Sequence, residues 1–289
     1  MSNAMNDEFK NLVTKINKSG GLISPRGLLV KELTVETLAI DPVRPIPDLK
    51  SKPFNWSYLL GELAWYLQRD THIDFISHFS KFWQNIATSE GYINSNYGAI
   101  LFDRQLEWAK DSLIADEFTR QAVCFVNSPR YQYGGNLDFV CTMYINFWIR
   151  DNRLNMKVQM RSNDVFYGLT YDAPFFAFVQ QTMWHWLKEK YDSLELGTYY
   201  HCADNIHFYE KHFEVADKIA QQKENDPSLS FFLREPLFNV KDGNYILLPA
   251  GQKFLEDVNE LVRENIENPE HKMLASVTKP ILQKYFLIK

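Results

Sequence analysis

Residues 139–161 read FVCTMYINFWIRDNRLNMKVQMR and carry the clearest β-strand signal of the chain. Two β-rich runs, 139–149 and 154–161, flank a polar turn, and the second run alternates apolar with polar side chains. The pattern predicts a hairpin. Cys141 opens the first strand and Arg161 closes the second, so pairing across the turn places the thiol and the guanidinium at the same end of a sheet.

The stretch that follows, RSNDVFYGLTYD over 161–172, joins groups that suit a nucleotide. The Arg161 guanidinium and the Ser162 hydroxyl are able to hold a phosphate. The Asp172 carboxylate can accept hydrogen bonds from an amino group and would repel a carbonyl oxygen, which makes it a candidate detector of cytosine. Asp172 also precedes an Ala-Pro pair and a long apolar segment to about Lys190, so it equally suits a helix N-cap. The stretch predicts a nucleotide site beside a nucleophile.

The composition bounds the class of protein. A chain of 289 residues that is 45% hydrophobic has ample material for a sizeable core, and a net charge of -5 without a long basic run argues against a nucleic-acid polymer as partner. The three cysteines show no metal-ligand spacing, and no apolar run approaches the roughly 18 residues that span a bilayer. We therefore expect free thiols, no metal, no membrane partner and a cytoplasmic location. Residues 1–4, before Met5, look like an expression scar.

Local patterns predict the remaining elements of a single α/β (α+β) domain over residues 5–289. We expect helices over 5–20, around Leu59–Leu67 with an Asn55 or Ser57 cap, over Ile73–Ile86 and over 106–115, and strands over 28–40 and 121–126. From about Ala216 the chain is charged and helical, except for a possible strand pair around Phe231–Leu248 with an Asp242-Gly243 turn. No linker or internal repeat interrupts the chain.

Six motifs occur in the order and approximate spacing of one known family. They are ELAWYLQ over 62–68 with Asp70-Thr71, Tyr97-Gly98, Thr119-Arg120, Cys141, the 161–169 stretch and His207-Phe208-Tyr209. From about Arg26 to about His212, the chain resembles the thymidylate synthase family, and the region from about 216 is divergent. The resemblance implies a large mixed β-sheet with flanking helices and a homodimer that packs these sheets back to back. It also implies two small-molecule ligands, a pyrimidine nucleoside monophosphate and 5,10-methylenetetrahydrofolate as co-substrate.

The resemblance assigns roles residue by residue. The catalytic set comprises a nucleophile that adds to C6 of the pyrimidine, a proton-relaying glutamate and two further residues at the reacting centre: Cys141, Glu62, Tyr97 and Asp164. The nucleotide ligands are a phosphate clamp, a base reader and two sugar-binding side chains: Arg26, Arg120, Arg161, Ser162, Asp172, His207 and Tyr209. The resemblance implies that Trp83 and Gly168 contact the folate. Arg120 is expected to reach across the dimer into the partner's site.

Each assignment competes with a plain structural interpretation. A cysteine at the start of a strand is commonly a small buried hydrophobe, although a nearby guanidinium lowers the pKa of a thiol and favours the nucleophile. Glu62 could be a solvated helix residue, and Trp83 with Tyr97 could be core packing. Gln121 stands where the family usually has a second arginine, a gap that Arg130 could fill.

Two departures from the synthases point to a different reaction. Asp172 stands in place of an asparagine that reads uracil, and cytidylate hydroxymethylases of this family place an aspartate there. Met160 replaces a usual glutamine, and the divergent carboxy-terminal third does not resemble the folate-covering tail, which favours attack by water over hydride transfer. We therefore expect a 5-hydroxymethyltransferase acting on dCMP or CMP. The alternatives are a divergent thymidylate synthase that methylates dUMP and a nucleotide-binding homologue without turnover.

Overall fold

A computed structural model describes residues 4–222, 227–268 and 275–289. Its α-helices are α1 (Met5–Ser19), α2 (Trp56–Gln68), α3 (Asp74–Ser77), α4 (Tyr97–Leu101), α5 (Arg104–Ala115), α6 (Thr170–Leu187), α7 (Phe213–Gln221), α8 (Pro249–Glu267) and α9 (Ala275–Tyr285). Its strands are β1 (Gly21–Ile23), β2 (Val30–Ile40), β3 (Val123–Phe125), β4 (Thr142–Arg150), β5 (Arg153–Met160), β6 (Asn163–Asp164), β7 (Glu195–Tyr209), β8 (Phe232–Leu233), β9 (Phe238–Lys241), β10 (Asn244–Leu247) and β11 (Phe286–Leu287). Of the expected expression scar, residues 1–3 lie outside the described residues.

One mixed sheet of seven strands forms the centre of the molecule. Its order is β1-β2-β7-β5-β4-β3, with the short β6 paired to one end of β7. The β5–β7 and β6–β7 pairs are parallel and the others are antiparallel. The expected α/β fold with a large mixed sheet and flanking helices is confirmed.

The apolar helix α6 packs on this sheet at β5 and β7, and the apolar helix α2 packs beside α6. On α6 the aromatic residues Phe175, Phe176 and Phe178 are fully buried, and α2 is buried on nearly every side. A helix that is apolar all round is normally enclosed by protein. The enclosure of α2 comes partly from α8 and α9, since the Ser57 and Thr278 hydroxyls lie 3.4 Å apart. A charged residue on α2 is therefore held in a dry environment.

The helix predictions succeed except at one segment. The α1 and α2 helices form as expected, and the Asn55 side chain caps α2 by accepting a hydrogen bond from the Tyr58 amide at 3.2 Å. The continuous helix expected over Ile73–Ile86 is wrong, because the chain forms only α3 and then a separate 3₁₀ turn, Lys81–Asn85. The break occurs at Ser80, whose backbone is extended and whose hydroxyl caps the 3₁₀ turn.

The carboxy-terminal part is docked into the body of the protein. The predicted strand pair is present as β9 and β10, joined by a turn in which Asp242 and Gly243 have φ of 54° and 74°. Further on, β11 pairs with β8, and the Phe231 and Phe286 rings stack with centroids 4.2 Å apart. Residues 286–287 are therefore part of the packed core.

The pairing between β2 and β7 is interrupted in the middle of both strands. Thr34 pairs with Asn205 and Glu36 pairs with Ala203, while the intervening Val35 has a φ of 54°. The buried positions of β7 shift at this irregularity from odd numbers to even ones: Tyr199, His201 and Ala203, then Ile206 and Phe208. The two halves of β7 thus present opposite side-chain alternation to the sheet.

Candidate active site

The hairpin brings Cys141 and Arg161 together as predicted. Its turn residues, Asp151 and Asn152, have φ of 52° and 57°, which is typical of a type I′ hairpin turn. The Arg161 amide donates to the Cys141 carbonyl at 2.9 Å, and Arg161 Nη2 lies 3.5 Å from Cys141 Sγ. Beside them, the Thr142 hydroxyl lies 3.1 Å from the Sδ atom of the buried Met160.

The environment of the Cys141 thiol differs from the sequence expectation. Burial raises the pKa of Cys141 to about 11, and the charges of Arg161 and Arg26 only partly offset this effect. Arg161 lowers the thiol pKa as expected, but burial in apolar surroundings outweighs the guanidinium, so the pKa stays above its ordinary value. Arg161 is nonetheless the nearest group that stabilises a thiolate.

The Arg161 guanidinium also organises the segment before β4. Its Nε atom donates to the Val140 carbonyl at 3.1 Å, its Nη2 atom donates to the Phe139 carbonyl, and the guanidinium stacks on the Phe139 ring at 4.7 Å. Among the described residues, Nη1 makes no such hydrogen bond. Nη1 is thus the donor with which Arg161 can hold an anion.

The other clamp residues divide into two groups. Arg26 lies on an exposed turn, Pro25–Gly27, with φ of 54°, and its charge lowers the pKa of Cys141, so it faces the same site. Arg120 does not face this site. Residues 118–122 lie beside the end of β4 that is remote from Cys141, where the Phe147 amide donates to the Ala122 carbonyl. Arg120 instead lines an open cavity of about 580 Å³ at the edge of the sheet.

Glu62 faces the site from α2 between two tyrosines. Tyr58, Glu62 and Tyr66 are four residues apart, so they share one helix face. The Tyr58 hydroxyl donates to Glu62 Oε1 at 2.9 Å, and Glu62 is only 6% exposed. Burial, followed by the charge of Asp172, raises the pKa of Glu62 to about 8. The solvated interpretation of Glu62 is therefore wrong.

Asp172 is not the N-cap of its helix. The α6 helix starts at Thr170 and continues directly from a π-helical turn, Val165–Leu169, so Asp172 already lies inside it. The capping carboxylate is Asp164, whose Oδ1 atom accepts hydrogen bonds from the amides of Phe166 at 2.7 Å and Tyr167 at 2.6 Å. Capping therefore does not explain an acid at position 172.

The Asp172 carboxyl is bound by a residue that sequence reasoning missed. Asn163 Nδ2 donates to Asp172 Oδ2 at 2.7 Å, and a Cβ atom on Gly168 would lie 2.7 Å from Asn163 Nδ2 and 3.1 Å from Asp172 Oδ2. Gly168 thus packs directly on this pair. Burial raises the pKa of Asp172 to about 6, below that of Glu62. At neutral pH the two coupled carboxyls therefore share one charge, which resides mainly on Asp172.

Aromatic side chains pack beside the carboxyls. Tyr97 is 5% exposed and stacks on Tyr66 with ring centroids 5.7 Å apart. Burial raises the pKa of Tyr97, and the charges of Asp172 and Cys141 raise it further, which places its hydroxyl near both. Trp83 is buried in the Lys81–Asn85 turn. Both aromatics pack in the core and border the site at once.

His207 and Tyr209 lie at the end of β7 near Ser162. Asn205 joins them, since its Oδ1 atom is 2.8 Å from His207 Nδ1 and 3.4 Å from the Ser162 hydroxyl, and its Nδ2 atom donates to Glu32. Because Nδ1 must carry the proton in this contact, the neutral His207 ring keeps Nε2 as an acceptor for a hydroxyl. Glu32 and Asn205 were not predicted; the pairing of Glu32 with His207 across β2 and β7 is what places them here.

Asp164 has one oxygen without a partner. Its Oδ2 atom is buried and makes no hydrogen bond with a described residue, while burial raises the pKa of the carboxyl to about 6. Lys52 and Lys211 lie close enough to lower that pKa. A reduced pterin offers N–H donors that suit such an acceptor. A cavity of about 270 Å³ is lined by Ile86, Tyr92, Leu137 and neighbouring residues, and it offers room for an extended ligand. Ile86 follows Trp83 by three residues in the sequence. These residues fit a folate.

Two absences complete the description of the site. Across 4–222, 227–268 and 275–289, no cluster of three or more His, Cys, Asp or Glu side chains is arranged to bind a metal ion. Within the same ranges, no helix has the length and apolar character that a membrane span requires.

A thiol, a guanidinium and two carboxyls lie at one end of a mixed sheet, an arrangement that suits a pyrimidine C5 one-carbon transferase. The chain belongs to the thymidylate synthase family: the family model "Thymidylate synthase" matches residues 7–245. The match reaches beyond His212 and includes β9, but it stops before α8 and α9.

Phage hydroxymethyltransferases are among the similar curated proteins. The chain is 27% identical over 214 residues to the deoxycytidylate 5-hydroxymethyltransferase of Enterobacteria phage T4, covering 68% of this chain and 86% of that protein. The phage T2 enzyme of the same name gives the same values. The chain is also 26% identical over 220 residues to the deoxyuridylate hydroxymethyltransferase of Bacillus phage SP01, covering 70% of this chain but only 56% of that protein.

Proposed function

We propose that this protein is a 5-hydroxymethyltransferase acting on dCMP or CMP in the cytoplasm, with 5,10-methylenetetrahydrofolate as co-substrate and water as the final reactant. The observation that carries the proposal is the Asp172 carboxyl, which Asn163 holds as an acceptor in the same site as Cys141 and Glu62. An ionised carboxylate accepts from the cytosine amino group and repels uracil O4. The named activity of the phage T4 relative supports this choice of base.

The nucleotide would be held at three points. Arg161 Nη1, Arg26 and Ser162 offer donors for the phosphate, and forked guanidinium donors suit its oxygens. His207 Nε2 and the Tyr209 hydroxyl would bind the sugar. In this arrangement the pyrimidine would lie between the Cys141 thiol and the carboxyls, and the thiol would add to C6.

Glu62 and Asp172 would divide the proton chemistry between them. With pKa values of about 8 and about 6, Glu62 is mostly protonated at neutral pH and Asp172 is mostly ionised. Glu62 can therefore donate a proton to the base, while Asp172 holds its exocyclic edge. Tyr58 positions the Glu62 carboxyl through the 2.9 Å hydrogen bond.

The folate would supply a one-carbon unit at the oxidation level of formaldehyde. Asp164 Oδ2, Trp83 and the backbone at Gly168 are the groups that would hold it. The choice of water over hydride rests on the divergent carboxy-terminal third, whose β11 is docked against β8 with Phe286 stacked on Phe231.

The second subunit of a homodimer would complete the clamp. Arg120 is exposed at the sheet edge and does not reach the Cys141 site of its own chain. The sheet face away from α6 carries a Trp148–Tyr200 stack at 5.9 Å and lies beside Phe125, which is 67% exposed. Back-to-back packing would cover these rings and donate Arg120 to the partner. Sedimentation of the native protein, with an Arg120→Ala variant assayed for nucleotide affinity, tests this arrangement.

The test of the function is tritium release from C5 of labelled dCMP, CMP and dUMP, followed by chromatography of the product. We expect release from a cytidine nucleotide and a 5-hydroxymethyl product. The Asp172→Asn variant should lose preference for cytosine, because its amide can donate to O4 and accept from N3–H of uracil. Faster release from dUMP by the wild-type protein would refute the proposed base.

A deoxyuridylate hydroxymethyltransferase is the second candidate. The phage SP01 relative bears that name, and the pKa of about 6 for Asp172 means that its protonated form, a donor for O4, is accessible in mildly acidic solution. Release from dUMP that increases as the pH falls through 6, with a hydroxymethyl product, would favour this candidate.

A further inference from the structure

A continuous hydrogen-bond chain runs behind Asp172 into the sheet. The Tyr199 hydroxyl lies 2.6 Å from His201 Nδ1, His201 Nε2 lies 3.0 Å from Asn163 Oδ1, and Asn163 Nδ2 lies 2.7 Å from Asp172 Oδ2. Tyr199 and His201 are fully buried and Asn163 is only 3% exposed. Tyr199 and His201 have no part in the proposed binding of the nucleotide or the folate, and Asn163 takes part only through Asp172.

The backbone holds this chain in place. Tyr199 and His201 are two residues apart on β7, so their side chains point to the same face of the sheet. Asn163 lies on β6, which pairs with the other half of the same strand. Gly168 closes the remaining side, because a Cβ there would approach Asn163 Nδ2 to 2.7 Å. The chain therefore has little freedom to rearrange.

The buried tyrosine fixes the direction of donation. If Tyr199 donates to His201 Nδ1, then His201 Nε2 carries the proton and donates to Asn163 Oδ1, and Asn163 Nδ2 donates to Asp172. In the reverse direction a protonated Asp172 would donate to Asn163, and His201 would donate to the Tyr199 oxygen. The Tyr199 O–H would then lack an acceptor, since His201 is its only hydrogen-bond partner among the residues that the structure describes. A buried donor without an acceptor is disfavoured, so the forward direction wins.

The state of His201 agrees with this direction. Burial lowers the pKa of His201 to about 3, so the ring is neutral and has one donor and one acceptor nitrogen. A neutral ring that accepts a hydrogen bond at Nδ1 must donate one from Nε2. The carboxyl at the end of the chain receives a donated hydrogen bond on Oδ2, which stabilises its ionised form.

We propose that Tyr199, His201 and Asn163 are positioning residues that hold Asp172 as a hydrogen-bond acceptor and thereby set the preference for cytosine. The proposal rests on the proposed function in one respect, namely that Asp172 faces the base. Selection of the base would then depend on Asp172 and also on a hydrogen-bond chain whose far end, Tyr199, lies inside the sheet and does not contact the nucleotide.

The test measures equilibrium affinity for dCMP and dUMP by calorimetry, which needs no turnover. The wild-type protein should bind dCMP more tightly. The His201→Leu variant removes the donor to Asn163 and should reduce the dCMP-over-dUMP ratio by roughly tenfold, since hydrogen bonds to charged groups are among the stronger ones. The Tyr199→Phe variant should reduce it less, and His201→Gln, which keeps an N–H donor, should restore most of the ratio.

Two controls separate positioning from simple damage to the fold. Tyr245→Phe also removes a tyrosine hydroxyl, one that donates to the Leu67 carbonyl at 2.8 Å, and should leave the ratio unchanged. Affinity for inorganic phosphate should be the same in all variants. An unchanged ratio in His201→Leu and Tyr199→Phe, or an equal loss of affinity for both nucleotides, would overturn the proposal, as would a wild-type preference for dUMP. Tight dCMP binding without tritium release would contradict the proposed function alone.

Discussion

Replacing Glu62 by glutamine should stabilise the protein in alkaline solution. Raising the pKa of Glu62 from 4.5 to about 8 makes its ionised form unfavourable in the fold by on the order of 5 kcal/mol, at about 1.36 kcal/mol per tenfold change. Below pH 4.5 the carboxyl is neutral in the folded and the unfolded chain. Between pH 4.5 and 8 only the unfolded chain ionises, so the wild-type protein loses stability as the pH rises, and above 8 the loss is complete. Glutamine keeps the acceptor for Tyr58 and does not ionise.

Urea unfolding at fixed protein concentration and at pH 5, 7 and 9 measures this effect. Glu62→Gln should match the wild-type protein within about 1 kcal/mol at pH 5 and exceed it by several kcal/mol at pH 9. The matched control is Glu189→Gln on the exposed surface, which should show no such divergence. A difference between Glu62→Gln and the wild-type protein that does not grow with pH would refute the inference that Glu62 is buried in its protonated form.

Three further outcomes follow from the site. Cys141→Ser should abolish the covalent adduct that a 5-fluoropyrimidine nucleotide forms with the wild-type protein, seen by mass spectrometry; no adduct with the wild type would favour a binding protein without turnover. Gly168→Ala should weaken dCMP binding roughly tenfold in calorimetry, because its Cβ would lie 2.7 Å from Asn163 Nδ2. Asp164→Asn should raise the KM for the folate more than that for the nucleotide; an equal rise in both would contradict its role at the pterin.

Local patterns predicted the parts of the fold that are set by neighbours in sequence. The hairpin that joins Cys141 to Arg161 follows from alternation and one polar turn, and the β9–β10 pair follows from an Asp-Gly turn. The break at Ser80 could not be predicted, because the periodicity of the surrounding apolar residues continues through it.

The interior of the site depends on contacts between distant residues. The hydrogen bond from Asn163 to Asp172 is visible only once β6 and the π-helical turn are built, and His201 reaches Asn163 from β7. Tyr199 and His201 were not singled out from the sequence, because no local pattern shows which side chains they meet. The raised pKa of Cys141 is a burial effect, which no local pattern encodes.

The irregularity at Val35 in β2 divides the partner strand β7 into two halves, one that contributes to the base side of the site and one that contributes to its sugar side. In the first half of β7, His201 belongs to the hydrogen-bond chain that ends at Asp172. In the second half, His207 contacts Asn205, which also contacts Ser162. A single-residue insertion or deletion between the two histidines would exchange inward and outward positions in one half of the strand. We therefore expect related sequences to align without gaps across residues 199–209, and any alignment that opens a gap there would pair base-side residues with sugar-side residues.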